Sequence, residues 1–276
     1  MSKDKFPLYL FSNPVTETVT ESLMYYNEIV MNSFWTHKDN IPEGMGYGQF
    51  TWKHLLYLAA VAVCVILSVM WYLQADQAGR ILFLRTTGAV LILIDIIKMV
   101  LIAFSDVKLS EYLPLEICSF AAYFIVCDSI FIGNTFFPEM LLTLFLPAAI
   151  MAVLFPTTST LPAFNFYTIH QFVYHGLIIA YVIARFAAKE IPLTYPGVWL
   201  SILKIIVLAA VIYVIDCRFN KNFMFLRDTY GNPMLEAIRR ITGDGIAYTG
   251  GLICFCIIMI HVFFALFKCV EMLFLH

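Results

Sequence analysis

From residue 54 onward the chain alternates long apolar runs with short polar breaks. Seven runs stand out, approximately His54–Leu73, Ile81–Phe104, Leu115–Gly133, Met140–Phe155, Ile169–Ala188, Trp199–Cys217 and Ile246–Phe267. A helix rises 1.5 Å per residue, so about 20 apolar residues cross the roughly 30 Å hydrocarbon core of a bilayer. Each run is predicted to be a spanning helix, the short fourth one tilted or in a thinned bilayer. Hydrocarbon offers the backbone no hydrogen-bond partners, so every span must satisfy itself as a helix. The expected fold is an all-α polytopic membrane bundle of about seven transmembrane helices.

Residues 1–51 read differently and are predicted to form an N-terminal interfacial segment ahead of a 52–276 transmembrane domain. Thr18-Val19-Thr20-Glu21 has capping-box spacing, and Leu23, Tyr26, Ile29, Val30, Phe34 and Trp35 follow at helical intervals, which predicts an amphipathic helix on the bilayer surface. Gly44, Gly46 and Gly48 predict a flexible joint before the first span. The polar stretch Met1–Thr20 does not resemble a signal peptide, so the first span is expected to direct insertion. Pro147 predicts a kink in the fourth span, and Met234–Arg240 a short interfacial helix in the longest loop, Arg218–Gly245.

Composition agrees with the pattern: the chain is 61% hydrophobic and 13% charged, against about 45–50% and 25% in soluble domains. The net charge of −2 supplies no basic footprint, so no nucleic-acid partner is expected. The seven cysteines show neither a disulfide framework nor zinc spacing, and no metal or cofactor is expected.

Seven spans place the two termini on opposite faces, here the N-terminal face and the far face. Odd-numbered spans start from the N-terminal face, so Glu116 and Cys118 of span three and His170 and His175 of span five lie at similar depth. Span two runs toward the same face and brings Asp95 and Lys98 with it. Ionisable groups inside a membrane are costly and mark functional sites by default. Glu116 and Cys118 are about 200° apart on a helix, so a base for the thiol must come from another helix, with His175 or His170 as supplier. The two histidines diverge by about 140° and cannot form the i, i+4 pair that grips a metal. Asp95 and Lys98 have the spacing of an intrahelical ion pair. Asp128 and Lys204, both toward the far face, are expected to pair across helices. The Phe219–Phe223 loop is expected to roof the cavity.

The order Leu113-Pro114-Leu115-x-x-Cys118-Ser119, then Gln171-Phe172-x-x-His175-Gly176, then Asn220-Lys221-Asn222-Phe223-Met224-Phe225-Leu226 resembles the YwaF-type bacterial integral membrane proteins, relatives of the transmembrane protein 164 family. The resemblance covers about residues 50–270. It implies an acyltransferase of phospholipid remodelling that moves an acyl chain from a phospholipid to a lysophospholipid through a cysteine acyl-enzyme. It also implies residence in a bacterial plasma membrane, with a membrane lipid as the substrate. His175 matches the family's histidine in span five, and Asn222 its polar residue after span six. Where the family has Leu-Pro-Leu-His, this chain has Glu116. The position of the eukaryotic cysteine is held by Leu115, and Cys118 belongs to the bacterial pattern.

The expected catalytic residues are therefore His175 as base, Cys118 as nucleophile and Glu116 as an acid–base partner, with Lys98, Asp95, His170 and Asn222 binding substrate. Two other readings compete. In one, Asp95, Lys98, Glu116, Asp128 and Lys204 line the path of a small-solute or proton-coupled transporter; in the other, the protein is a non-catalytic lipid-binding scaffold of a membrane complex. Protein partners and oligomeric state are not legible.

Overall fold

The computed structural model describes residues 33–37 and 40–274. Its long helices are α1 (Trp52–Gln74), α2 (Gln77–Ala103), α3 (Ile117–Ile130), α4 (Phe136–Leu154), α5 (Phe166–Ala187), α6 (Tyr195–Phe219) and α8 (Ile246–Phe274), with a short α7 (Pro233–Thr242) between the last two. Six of them are long and apolar enough to cross a bilayer; α3, at 14 residues, is not by length alone. Yet α3 joins the two ends of the bundle. Glu116 at its start bonds the backbone after α6, and Asp128 near its end bonds Arg185 near the end of α5. At 1.5 Å per residue α3 is about 21 Å long. It packs against α2, α4 and α5.

Local chemistry explains most helix starts. Thr51, Asp76, Asn165, Thr194 and Asn232 are N-caps whose side chains accept first-turn amide hydrogens of α1, α2, α5, α6 and α7, groups that would otherwise lack partners. Pro147 does not break α4. The helix instead widens to a π turn over Leu141–Phe145 just before it, accommodating a residue that has no N–H and crowds the preceding turn.

The most buried spanning helix is α4, packed against α3, α5, α6 and α8. By contrast α1 buries only His54 and Tyr72 and rests on α5, with the Tyr57 and Phe172 rings stacked 4.4 Å apart. Gly176 of α5 faces Val61 of α1 at ordinary contact distance. His54 accepts from Phe50 N at Nδ1 and donates from Nε2 to Val153 O at 2.8 Å, linking α1 to the end of α4.

The glycine-rich approach to α1 is not the expected flexible joint. Tyr47 N and Gly48 N donate to Leu161 O and Ser159 O, and a Cβ on Gly46 would lie 2.6 Å from Ser159 O. Glycine here lets two backbones touch. The amphipathic helix expected between residues 18 and 35 falls largely outside the described residues. What is described of its end, Ser33–His37, sits on the start of α5: Asn165 Nδ2 donates to Ser33 O and Thr36 O, and Phe166 N to Phe34 O.

Candidate functional site

At the N-terminal-face end of the bundle, α2, α3 and α5 bring five of the expected residues together. Asp95 and Lys98 form the expected ion pair, with Nζ 2.5 Å from Oδ1. His170 Nε2 lies 3.9 Å from the same oxygen. The Lys98 ammonium acts electrostatically on Glu116, Cys118, His170 and His175, and Asp95 acts on Cys118. Within this cluster the Asp95 carboxylate is buried and Cys118 half-buried.

His175 is buried, and its Nδ1 lies 2.6 Å from Gln171 O one turn earlier. Only a protonated nitrogen can donate to a carbonyl, so in the neutral ring Nδ1 carries the hydrogen and Nε2 is the basic nitrogen. Among the described residues, Nε2 has no hydrogen-bond partner. A second-turn carbonyl thus does for this imidazole what a carboxylate does in other base–orienter pairs.

Tyr174 is a member of the site that the sequence did not single out. Its ring stacks on His170 at 5.2 Å, and its hydroxyl donates to Cys118 O at 3.4 Å, fixing α5 to the first turn of α3. A tyrosine in a run of aromatic residues carries no signal of that role.

Two expected residues are tied to the loop after α6 and do not face the cluster freely. Glu116 is the N-cap of α3 but caps nothing; its Oε2 accepts from Met224 N at 2.8 Å. Next to that bond, Asp216 Oδ1 accepts from Phe223 N, so carboxylates from two helices hold consecutive amides. The loop they hold is tightly wound, with Asn220, Met224 and Phe225 at φ of 49°, 56° and 56°, a region costly for side-chain-bearing residues. Asn222 is spent inside the same loop. Its Oδ1 accepts from Arg227 N and Asp228 N, and its Nδ2 donates to Asp228 O.

The far end of the bundle corrects one expectation. Asp128 pairs with Arg185 of α5, not with Lys204, and Tyr181 donates to the same Asp128 oxygen at 2.6 Å. Arg185 extends the network to Glu190, which also receives Tyr72 and Arg80. Lys204 instead donates to Phe136 O and lies 3.5 Å above the Phe136 ring. Arg185 sits in the last turn of α5, level with Asp128, whereas α6 places Lys204 against the start of α4. His261 has a local partner, Ile257 O, and packs on Tyr195 and Trp199.

All seven cysteines are unbridged, and among the described residues no His, Cys, Asp or Glu group has metal-holding geometry. The fold and this cluster define a polytopic α-helical membrane protein with a polar site at one end of its bundle. The family profile called "TMEM164 family" matches residues 49–268, most of the chain, and the protein belongs to that family. No curated protein and no solved structure shows a significant match.

Proposed function

We propose that the protein is a membrane-embedded lipid acyltransferase of YwaF-like type, acting at the α2–α3–α5 cluster. The observation that carries this reading is the state of His175: a buried imidazole whose Nδ1–H is held by Gln171 O, leaving Nε2 as the basic nitrogen, on a helix that the adjacent Tyr174 ties to Cys118 O. Membership of the TMEM164 family supports it. The thiolate is the reactive form of cysteine, and a neighbouring base is the usual way to generate it.

His175 Nε2 takes the Cys118 thiol proton, and Sγ attacks the ester carbonyl of a phospholipid. The tetrahedral oxyanion forms beside the first turn of α3, where Ser119 and Phe120 donate to Glu116 O and the two preceding amides, Ile117 and Cys118, point out of the helix start as oxyanion donors. Lys98 adds positive charge. The C–O bond breaks, the leaving lysolipid alkoxide takes the proton from imidazolium, and a thioester remains. An acceptor hydroxyl then gives its proton to Nε2 and attacks the thioester; collapse returns the thiol and a new ester. With water as acceptor the same sequence is hydrolysis.

In this reading Glu116 and Asn222 are positioning residues that shape the loop over the site. Glu116 stands where the family has histidine, and its bond to Met224 N is a role that a carboxylate fills well.

Protein reconstituted with a phospholipid labelled in its acyl chain should accumulate hydroxylamine-sensitive label on Cys118 and transfer it to added lysophospholipid. Cys118→Ala should abolish the thioester. Continued transfer by that variant would eliminate the covalent route and leave direct activation of the acceptor hydroxyl by Glu116 and His175. Absence of transfer and hydrolysis with every phospholipid headgroup offered would sink the enzyme reading. Against the transporter reading, the charges it needs fall into two groups at opposite ends of the bundle, with Asp128 paired to Arg185.

A further inference from the structure

Cys118 and His170 lie within about one turn of the starts of α3 and α5, and a single short segment crosses between those two starts. Residues 33–37 precede the stretch shared with the family. They are fastened to the start of α5 at three points. The fully buried Asn165 donates from Nδ2 to Ser33 O at 2.7 Å and to Thr36 O at 3.1 Å, and Phe166 N donates to Phe34 O at 2.8 Å. Aromatic rings continue the contact, with Phe34 4.9 Å from Phe164 and Trp35 5.4 Å from Phe166.

His37 completes the crossing. This residue is 4% exposed, and its ring stands edge-on to Tyr112 at 4.8 Å and to Tyr167 at 5.4 Å. Tyr112 belongs to the approach to α3, shortly before Glu116, and Tyr167 to the first turn of α5, shortly before His170. One imidazole is thus wedged between the two elements whose next turns carry Cys118 and the site histidines. Phe166, which makes the Trp35 contact, in turn meets the His170 ring at 6.0 Å. The start of α3 is covered a second time by the loop after α6, whose Met224 N is held by Glu116.

A thioester is open to attack by any hydroxyl, water included. Water's oxygen attacks the thioester carbonyl and its proton goes to His175 Nε2; the C–S bond breaks, the thiolate recovers that proton, and a free fatty acid leaves. A site covered against solvent suppresses this side reaction. The segment is built as such a cover: aromatic rings fill the crossing, and three of its backbone carbonyls are bonded, so they draw in no water. We infer that residues 33–37 are a water barrier over the α2–α3–α5 cluster, with His37 as wedge and Asn165 as fastener, and that they set the ratio of acyl transfer to hydrolysis. That ratio rests on the acyltransferase reading; the barrier itself does not.

The test uses the full chain in nanodiscs, where both faces meet solvent, and three variants. His37→Ala removes the wedge. Asn165→Ser keeps a side-chain oxygen to cap α5 but loses the amide that holds Ser33 O and Thr36 O. Trp35→Ala, at an exposed ring, is the gentlest lesion and keeps the test decisive if the buried ones unfold; thermal melting shows which variants are folded. A charged, membrane-impermeant methanethiosulfonate reports water access, read at each cysteine by peptide mass spectrometry. Cys118 is expected to label at least several-fold faster in His37→Ala and Asn165→Ser than in the wild type, and detectably faster in Trp35→Ala. Cys217, exposed near the end of α6, should label alike in all four proteins. With acyl-labelled phospholipid and an added acceptor, fatty acid released per chain transferred should rise by a similar factor, while the initial rate of thioester formation stays the same.

Unchanged labelling of Cys118 in the folded variants overturns the barrier, whatever the product ratio. Faster labelling with no thioester, transfer or hydrolysis in any of the proteins keeps the barrier and removes the enzyme. Faster labelling with an unaltered ratio of hydrolysis to transfer keeps both, and overturns the barrier's control of that ratio.

Discussion

The two ends of the bundle each bury charge, and they do so in opposite ways. At the far end, two carboxylates and two guanidiniums interlock: Asp128 with Arg185, Glu190 with both Arg185 and Arg80, and the Tyr181 and Tyr72 hydroxyls on the two acids. Charge there is balanced, and one acid oxygen, Asp128 Oδ1, is left over. At the N-terminal-face end, Asp95 meets Lys98 as an ion pair, while His170 Nε2 is buried without a hydrogen-bond partner among the described residues. A closed network fixes helices relative to one another, whereas an open one leaves polar atoms with capacity to bond. Both ends look alike as intramembrane charges in a sequence. Satisfaction of their polar atoms tells them apart.

The sharpest way to break the comparison is at the closed end. Arg185→Met leaves Asp128 buried without its cation, and removing one partner of a buried pair costs about 3–5 kcal/mol. The expected outcome is little folded protein in detergent, read by size exclusion and thermal melting. A folded, stable Arg185→Met protein would dissolve the distinction between the ends. Next comes His175→Ala at the open end, for which a lost general base predicts about a 10²–10⁴-fold fall in acyl transfer with little change in melting temperature. Such a split between activity and stability is what the open end should show and the closed end should not.

Smaller effects sharpen the contrast. Tyr181→Phe removes one hydroxyl from a charged acceptor, worth about 1.5–3 kcal/mol, and should lower the melting temperature without touching transfer chemistry. Glu116→Gln retains an acceptor for Met224 N, so it should keep both the loop and thioester formation; a collapse of activity in this variant would return Glu116 to acid–base chemistry. Last, Lys204→Met, which loses a backbone bond, a ring contact and the attraction of Glu139, should change stability by less than about 1 kcal/mol. A larger loss would mean that Lys204 is tied into the bundle as firmly as Arg185.

How far the site could be read from sequence depended on whether an interaction lay within one helix or between two. Asp95 with Lys98 was legible because i, i+3 spacing alone brings two side chains together. The shared depth of Cys118 and His175 followed from counting spans. The partner of Asp128 did not, since several basic residues lie at that depth and only the rotation of α5 against α3 selects Arg185. Nor did the engagement of Glu116 by Met224, more than a hundred residues away in the chain, or the bridge from Tyr174 to Cys118 O. Pro147 announced a disturbance in α4; that it would be a π turn was a matter of packing.

By itself the sequence determined the membrane class, the number and places of the apolar segments, most helix caps, and which ionisable residues occur at which end. These depend on hydrophobic run length and on local spacing, and the chain alone sets both. Tertiary structure decided which charges close on one another, which amides the loop after α6 gives to Glu116 and Asp216, and which buried polar atoms are left without a hydrogen bond. Those outcomes depend on helix rotation and offset, fixed by side-chain packing between segments far apart in the chain.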